Sequence, residues 1–255
     1  MKIIETHCHL DYLKQAPLDD IIQRCKEVNI EKIITIGVAP ENLDRVKEIS
    51  ESNSMIYYSQ GIHPHDAKDA IESDMKKISQ RCSEPKMVAV GEIGLDYHYD
   101  NSPRDIQLKI FKQQLEIAID NDKPVIIHSR DADDDMIDAL NQFAPQLKRN
   151  GVIHSFTSTK KLAEVALKHN FYLGFNGIIT FKKAEEVRDI VKFTPLESLL
   201  IETDAPFLTP APFRGRENAP FYLPHILEKM AELKGIDVEK AAKVFYENSK
   251  KLFHI

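Results

Sequence analysis

Short runs rich in branched aliphatic residues recur along the chain, separated by longer stretches with helical spacing. The runs fall at 3–9, 32–37, 56–61, 87–91, 124–128, 151–154, 171–175 and 199–202. Between them, Leu108, Phe111, Leu115 and Ala118 keep a helical spacing inside 104–121. The stretches 18–28, 42–50, 131–143 and 162–168 behave in the same way, and 224–253 reads as two helices broken at Gly235. Strands alternating with helices predict right-handed βαβ units and a parallel sheet. Eight such units in 255 residues predict an α/β fold, a closed (β/α)8 TIM barrel forming one domain over 1–255. An open doubly wound sheet is the competing arrangement, but no glycine-rich fingerprint follows any strand. No linker, repeat or low-complexity segment interrupts the pattern.

Composition narrows the class. Hydrophobic residues at 42% supply a sizeable core, and charged residues at 29% suit a soluble surface. No apolar run of ~18 residues occurs and no signal pattern opens the chain, so a cytoplasmic protein without a membrane segment is expected. Three widely spaced cysteines, Cys8, Cys25 and Cys82, read as reduced thiols. The net charge of −6 argues against a broad basic footprint for duplex nucleic acid. A phosphate-bearing substrate stays open if the positive charge is local, and bound metal would supply it.

Polar residues fall repeatedly at the carboxyl ends of the runs. His7 and His9 close the first and share a face, because side chains alternate along a strand, while Cys8 points the other way. Glu92, His128 and His154 follow the fourth, fifth and sixth runs, and Asp204 follows the eighth. In a parallel barrel all strand carboxyl ends share one face, where active sites lie. Six potential ligands exceed one tetrahedral ion and fit two divalent cations. Singly, each has a plainer reading: a histidine at a strand end is often a hydrogen-bonded rim residue, and Asp204 before Ala205-Pro206 could cap a turn. Their equivalent positions favour metal.

These stretches carry a family resemblance. Thr6-His7-Cys8-His9-Leu10-Asp11, Gly61-Ile62-His63-Pro64-His65 and Gly91-Glu92-Ile93-Gly94-Leu95-Asp96-Tyr97 resemble TatD-type metal-dependent deoxyribonucleases, within the wider amidohydrolase-like hydrolases. Pro124–Arg130, Gly174-Phe175-Asn176-Gly177, Glu202–Leu208, Arg214-Gly215 and Asn218-Ala219-Pro220 continue the match in order over nearly the whole length. The resemblance implies His7, His9, Glu92 and Asp204 around one metal, and Glu92, His128 and His154 around the second, with Glu92 bridging. It departs at His154-Ser155-Phe156-Thr157-Ser158, where the family usually has His-Cys-Phe-Ser-Gly, and in the extra His98.

The chemistry expected is hydrolysis by a water that the metal pair activates, with Asp204 as candidate general base and Glu92 as the other catalytic carboxylate. His63 and His65 are expected to contact substrate phosphate or protonate the leaving group, against a plain loop role. Arg130 and Arg214 would hold further phosphates, since guanidinium offers forked donors. Four imidazoles favour zinc, iron or manganese on ligand softness, whereas the resemblance implies magnesium or manganese; zinc, manganese and magnesium all stay open. The acids Asp131, Asp133, Asp134 and Asp135 read as the start of a helix, where negative charge suits the dipole. His169, His225 and His254 have no partner at ligand spacing, and the pair Lys182-Lys183 reads as a solvated face in preference to a nucleic-acid contact.

The function expected is a metal-dependent deoxyribonuclease, 3′–5′ exonuclease-like, acting on single-stranded DNA ends without an obligatory protein partner. The competing reading keeps the site and changes the bond, to an ester or amide as in a D-aminoacyl-tRNA deacylase or lactonase. A barrel that binds without catalysis is the third.

Overall fold

The computed structural model describes all 255 residues. Eight parallel strands follow one another around a barrel: β1 (Ile3–Cys8), β2 (Ile30–Gly37), β3 (Ile56–Gln60), β4 (Met87–Asp96), β5 (Val125–Arg130), β6 (Gly151–Ile153), β7 (Tyr172–Phe175) and β8 (Leu199–Ile201). Helices α1 (Leu18–Glu27), α2 (Leu43–Ser52), α3 (Glu72–Arg81), α4 (Arg104–Asp120), α5 (Asp133–Phe143), α6 (Lys160–Lys168) and α7 (Glu185–Phe193) connect successive strands, and α8 (Leu223–Lys234) and α9 (Val238–Phe253) complete the chain. This is the expected TIM barrel. No helix is long and apolar enough to cross a membrane.

Local chemistry sets the element ends. Gly235 takes the left-handed conformation, φ 62°, that stops α8. The Asp237 carboxylate then caps α9 by accepting from the Glu239 and Lys240 N–H groups. Side chains alternate around the strands. Ile34, Ile36, Val88, Ile126, Val152 and Leu200 belong to one buried set, joined among the helices only by Leu252 and Phe253 of α9. They fill the barrel interior, while a larger set packs the strands' outer faces against the helices.

Several boundaries differ from the sequence expectation, most of them at the carboxyl rim. β4 runs five residues past Gly91 because Gly94 lets it lie against β5: a Cβ there would meet the His128 carbonyl oxygen at 1.9 Å. Between Gly91 and Ile93 the β4–β5 register shifts, so Glu92 bulges out of the ladder. β1, β6 and β8 end one residue earlier than expected, leaving His9, His154 and Glu202 just beyond them. The barrel closes between β8 and β1 at this rim. A single bridge joins Cys8 to Ala205, the His9 N–H donates to Ala205 O at 2.7 Å, and the Asp204 N–H donates to His7 O at 2.9 Å. Closing the fold therefore fixes the histidines and Asp204 together.

Candidate metal centre

Glu92 stands at the middle of the carboxyl rim, and its two oxygens divide the surrounding imidazoles. Oε2 lies 3.3 Å from His7 Nε2 and 4.0 Å from His9 Nε2. Oε1 lies 2.7 Å from His154 Nε2, 3.1 Å from His128 Nδ1 and 3.4 Å from His63 Nε2. Asp204 Oδ1 completes the first side, 3.7 Å from His7 Nε2 and 3.5 Å from His9 Nε2. Asp204 reaches this place from a tight turn, with φ 57° and the Phe207 N–H donating to its carbonyl at 2.9 Å. Turn former and site carboxylate are thus one residue.

Burial should neutralise such a cluster, and the pairing reverses this. Burial pushes the Glu92 carboxyl up, but His154, His63 and His128 hold it well below the usual range. Asp204 is likewise held low against its burial, chiefly by His9. Burial works to lower the imidazoles; Asp96 and Glu92 raise His128, Asp204 raises His9, and Glu92 with Glu202 raises His154 well above its ordinary value. His7 stays lowered by burial and by the neighbouring His154, whose ring stacks on it with centroids 3.9 Å apart.

The donor set fits divalent cations. The ligand atoms of His7, His9 and Asp204 lie within 4.8 Å of one another, and His128 Nδ1 and His154 Nε2 lie 3.4 Å apart, both against Glu92 Oε1. His7 Nε2, which faces Glu92 and Asp204, is buried without a hydrogen-bond partner, which a protein tolerates rarely and a metal ion at that place would satisfy. His63 differs from the others. Its Nδ1 accepts the His65 N–H at 3.1 Å, and burial lowers its pKa to about 4. The neutral ring therefore carries its proton on Nε2, aimed at Glu92 as a donor.

Three carboxylates that sequence reasoning left without a role support these groups. Asp96 Oδ2 lies 3.0 Å from both His65 Nε2 and His128 Nε2, while Oδ1 accepts the His98 and Tyr99 N–H groups. Glu202 Oε1 faces His154 Nδ1 at 3.5 Å and accepts the Ser155 N–H at 2.6 Å. Glu5 Oε1 accepts the N–H groups of His7 and Thr203, both at 3.0 Å, tying β1 to the strand-8 end. The period-2 pairs 92/96 and 202/204 signal two of them in the sequence. Glu5 carries no such sign.

A cavity of about 1290 Å³ opens above the cluster. His65 and Arg130 line it, Arg130 being exposed with its guanidinium 5.0 Å over the Tyr99 ring. Arg214 lies outside the lining, over the Phe181 ring at 3.8 Å and donating to Thr209 O at 3.0 Å. His98 pairs with Asp131 at 2.9 Å. Asp133, Asp134 and Asp135 do open α5, and they also reach Thr159, Lys161 and Tyr97 around the mouth. All three cysteines are buried free thiols, and Cys8 points its sulfur at Ile34 O.

A family model described as TatD related DNase matches residues 4–254. YabD of Bacillus subtilis, an uncharacterized metal-dependent hydrolase, is 41% identical over 254 residues, covering 99% of each chain. YcfH of Escherichia coli, described in the same words, is 34% identical over 259 residues, covering 100% of this chain and 97% of its own. The crystal structure of the Escherichia coli TatD homologue YjjV superposes with a TM-score of 0.92 at 31% identity, over 99% of this chain and 98% of that one.

Proposed function

The chain belongs to the TatD family of metal-dependent hydrolases, and from that premise we propose that it is a deoxyribonuclease cleaving nucleotides, 3′–5′, from single-stranded DNA ends. The observation that carries the reading is the division of the two Glu92 oxygens between two sets of imidazoles. His7, His9 and Asp204 would hold one divalent cation, His128 and His154 a second, and Glu92 would bridge. Zinc, manganese and magnesium are the candidates. Such a pair, when bound, polarises a phosphoryl oxygen and brings the pKa of water toward neutrality.

The chain's own residues do the rest. Asp204, held ionised, accepts a proton from the attacking water at its carboxylate. His63 keeps Glu92 in place through its Nε2–H. His65, backed by Asp96, donates a proton to the departing oxygen in this reading. Arg130 has no carboxylate partner and offers forked donors to a neighbouring phosphate, and Arg214 would serve phosphates farther out.

One observation favours a second reading, ester or amide hydrolysis as on a D-aminoacyl-tRNA or a lactone. Arg130 is the only lysine or arginine lining the cavity, while Asp66, Asp131, Asp134 and Glu186 add acids around it. An acidic mouth suits the free amino group beside an aminoacyl ester bond. Metal analysis coupled to hydrolysis of end-labelled single-stranded DNA, D-aminoacyl-tRNA and lactones, with and without chelator, separates the two. Chelator-sensitive release of nucleotides is expected, and DNA left intact while either other substrate turns over would replace the first reading with the second.

A further inference from the structure

The cavity mouth carries aromatic rings, and most of them are already covered. Arg104 lies over Tyr97 at 4.5 Å, Arg130 over Tyr99 at 5.0 Å and Arg214 over Phe181 at 3.8 Å. Tyr12 and Phe207 have no cation on them. Both flank His9: the Tyr12 ring stacks on it at 5.3 Å and 15°, and Phe207 stands edge-on at 6.0 Å and 67°. Phe207 is 51% exposed and Tyr12 37%, so each offers ring surface to the cavity.

Their backbones are pinned even though their rings face solvent. The Phe207 N–H donates to Asp204 O at 2.9 Å, and its carbonyl accepts from Asn218 Nδ2 at 2.6 Å. The Tyr12 N–H donates to His9 O at 3.1 Å. Little ordering is therefore left for a ligand to impose. These rings belong to the β8–β1 side of the barrel, across the mouth from the Arg130–Tyr99 pair at β4 and β5.

We propose that Tyr12 and Phe207 form a nucleobase subsite that takes the unpaired base next to the scissile phosphate. The inference rests on the nuclease reading and specifies its substrate: a terminal nucleotide with a base free to stack. A base paired in a duplex presents no open face there, whereas every unpaired base offers a π-face that rings of this kind hold regardless of sequence.

The test compares single-stranded oligonucleotides ending in an ordinary nucleotide with ones ending in an abasic tetrahydrofuran nucleotide, using the metal-loaded enzyme. The expected wild-type ratio of kcat/KM, base-bearing over abasic, is roughly 5- to 100-fold, carried mainly in KM. Phe207→Leu and Tyr12→Leu keep apolar bulk without a ring face and should pull the ratio toward one; Phe207→Tyr should restore it. A wild-type ratio of one, or a ratio unmoved by the leucine variants, overturns the subsite and leaves the nuclease reading standing. If wild type cleaves no oligonucleotide, the nuclease reading fails instead. Calorimetric titration then decides the subsite: tighter binding of dAMP than of deoxyribose 5-phosphate, lost in Phe207→Leu, supports it, and equal affinities overturn it.

Discussion

Glu202 Oε2 occupies the place where a side chain on Gly174 would begin, since a Cβ built on that glycine would lie 2.5 Å from it. A glycine of β7 thereby makes room for a buried carboxylate from the end of β8, and that carboxylate faces His154 Nδ1.

Gly174→Ala must displace Glu202 and release His154. Overpacking of this kind costs about 1–3 kcal/mol, read as a lower denaturation midpoint, and the variant should retain less metal per chain. A variant as stable and as metal-replete as the parent would remove Glu202 from the support of the site.

Asp96→Asn should weaken metal binding by about 10–100-fold, the usual effect of losing a group that orients a ligand histidine. An amide that places its oxygen toward His128 turns its NH2 toward the His98 and Tyr99 N–H groups, donor against donor. Competitive metal titration measures the change, and unaltered affinity would mean that His128 needs no orientation from Asp96.

Burial lifts the Glu5 carboxyl to about 8 from an ordinary 4.5. The folded protein then keeps a proton that the unfolded chain gives up. The resulting stability is complete below about pH 4.5 and is lost as pH rises to about 8. Glu5→Gln is neutral throughout and can still accept the His7 and Thr203 N–H groups. Chemical denaturation of the chelated proteins should show the parent losing more stability than the variant across that window. Parallel curves would show that Glu5 is ionised in the fold.

Glu92→Gln removes the one charge shared by both imidazole sets. Activity on labelled single-stranded DNA should fall to background, with metal content falling alongside. Retained activity would sink the proposed centre.

Much of this was legible in the sequence. The eight apolar runs marked eight strands because buried parallel strands need nearly continuous branched side chains. Strand ends were less visible. β4 continues to Asp96 through Gly94, a residue with low strand propensity, because the neighbouring main chain approaches too closely for any side chain. Helices α3 and α7 lie in stretches that the spacing left unassigned. His7, His9, Glu92, His128, His154 and Asp204 were legible as a group because topology places every strand's carboxyl end on one face. His63 was expected at substrate phosphate or the leaving group, and in the fold its Nε2 lies 3.4 Å from Glu92 Oε1, a contact that spacing does not signal.

The sequence by itself determined the barrel, the rim and the six side chains that gather there, since periodicity and strand order suffice to say which residues share a face. Tertiary structure alone decided how they divide. The bulge at Glu92 and the β8–β1 closure set distances of a few ångströms between residues far apart in the chain. Chain order cannot encode such distances. Glu5, Asp96 and Glu202 acquire their partners only when the barrel closes, because a buried carboxylate takes its function from whatever donors packing brings within reach.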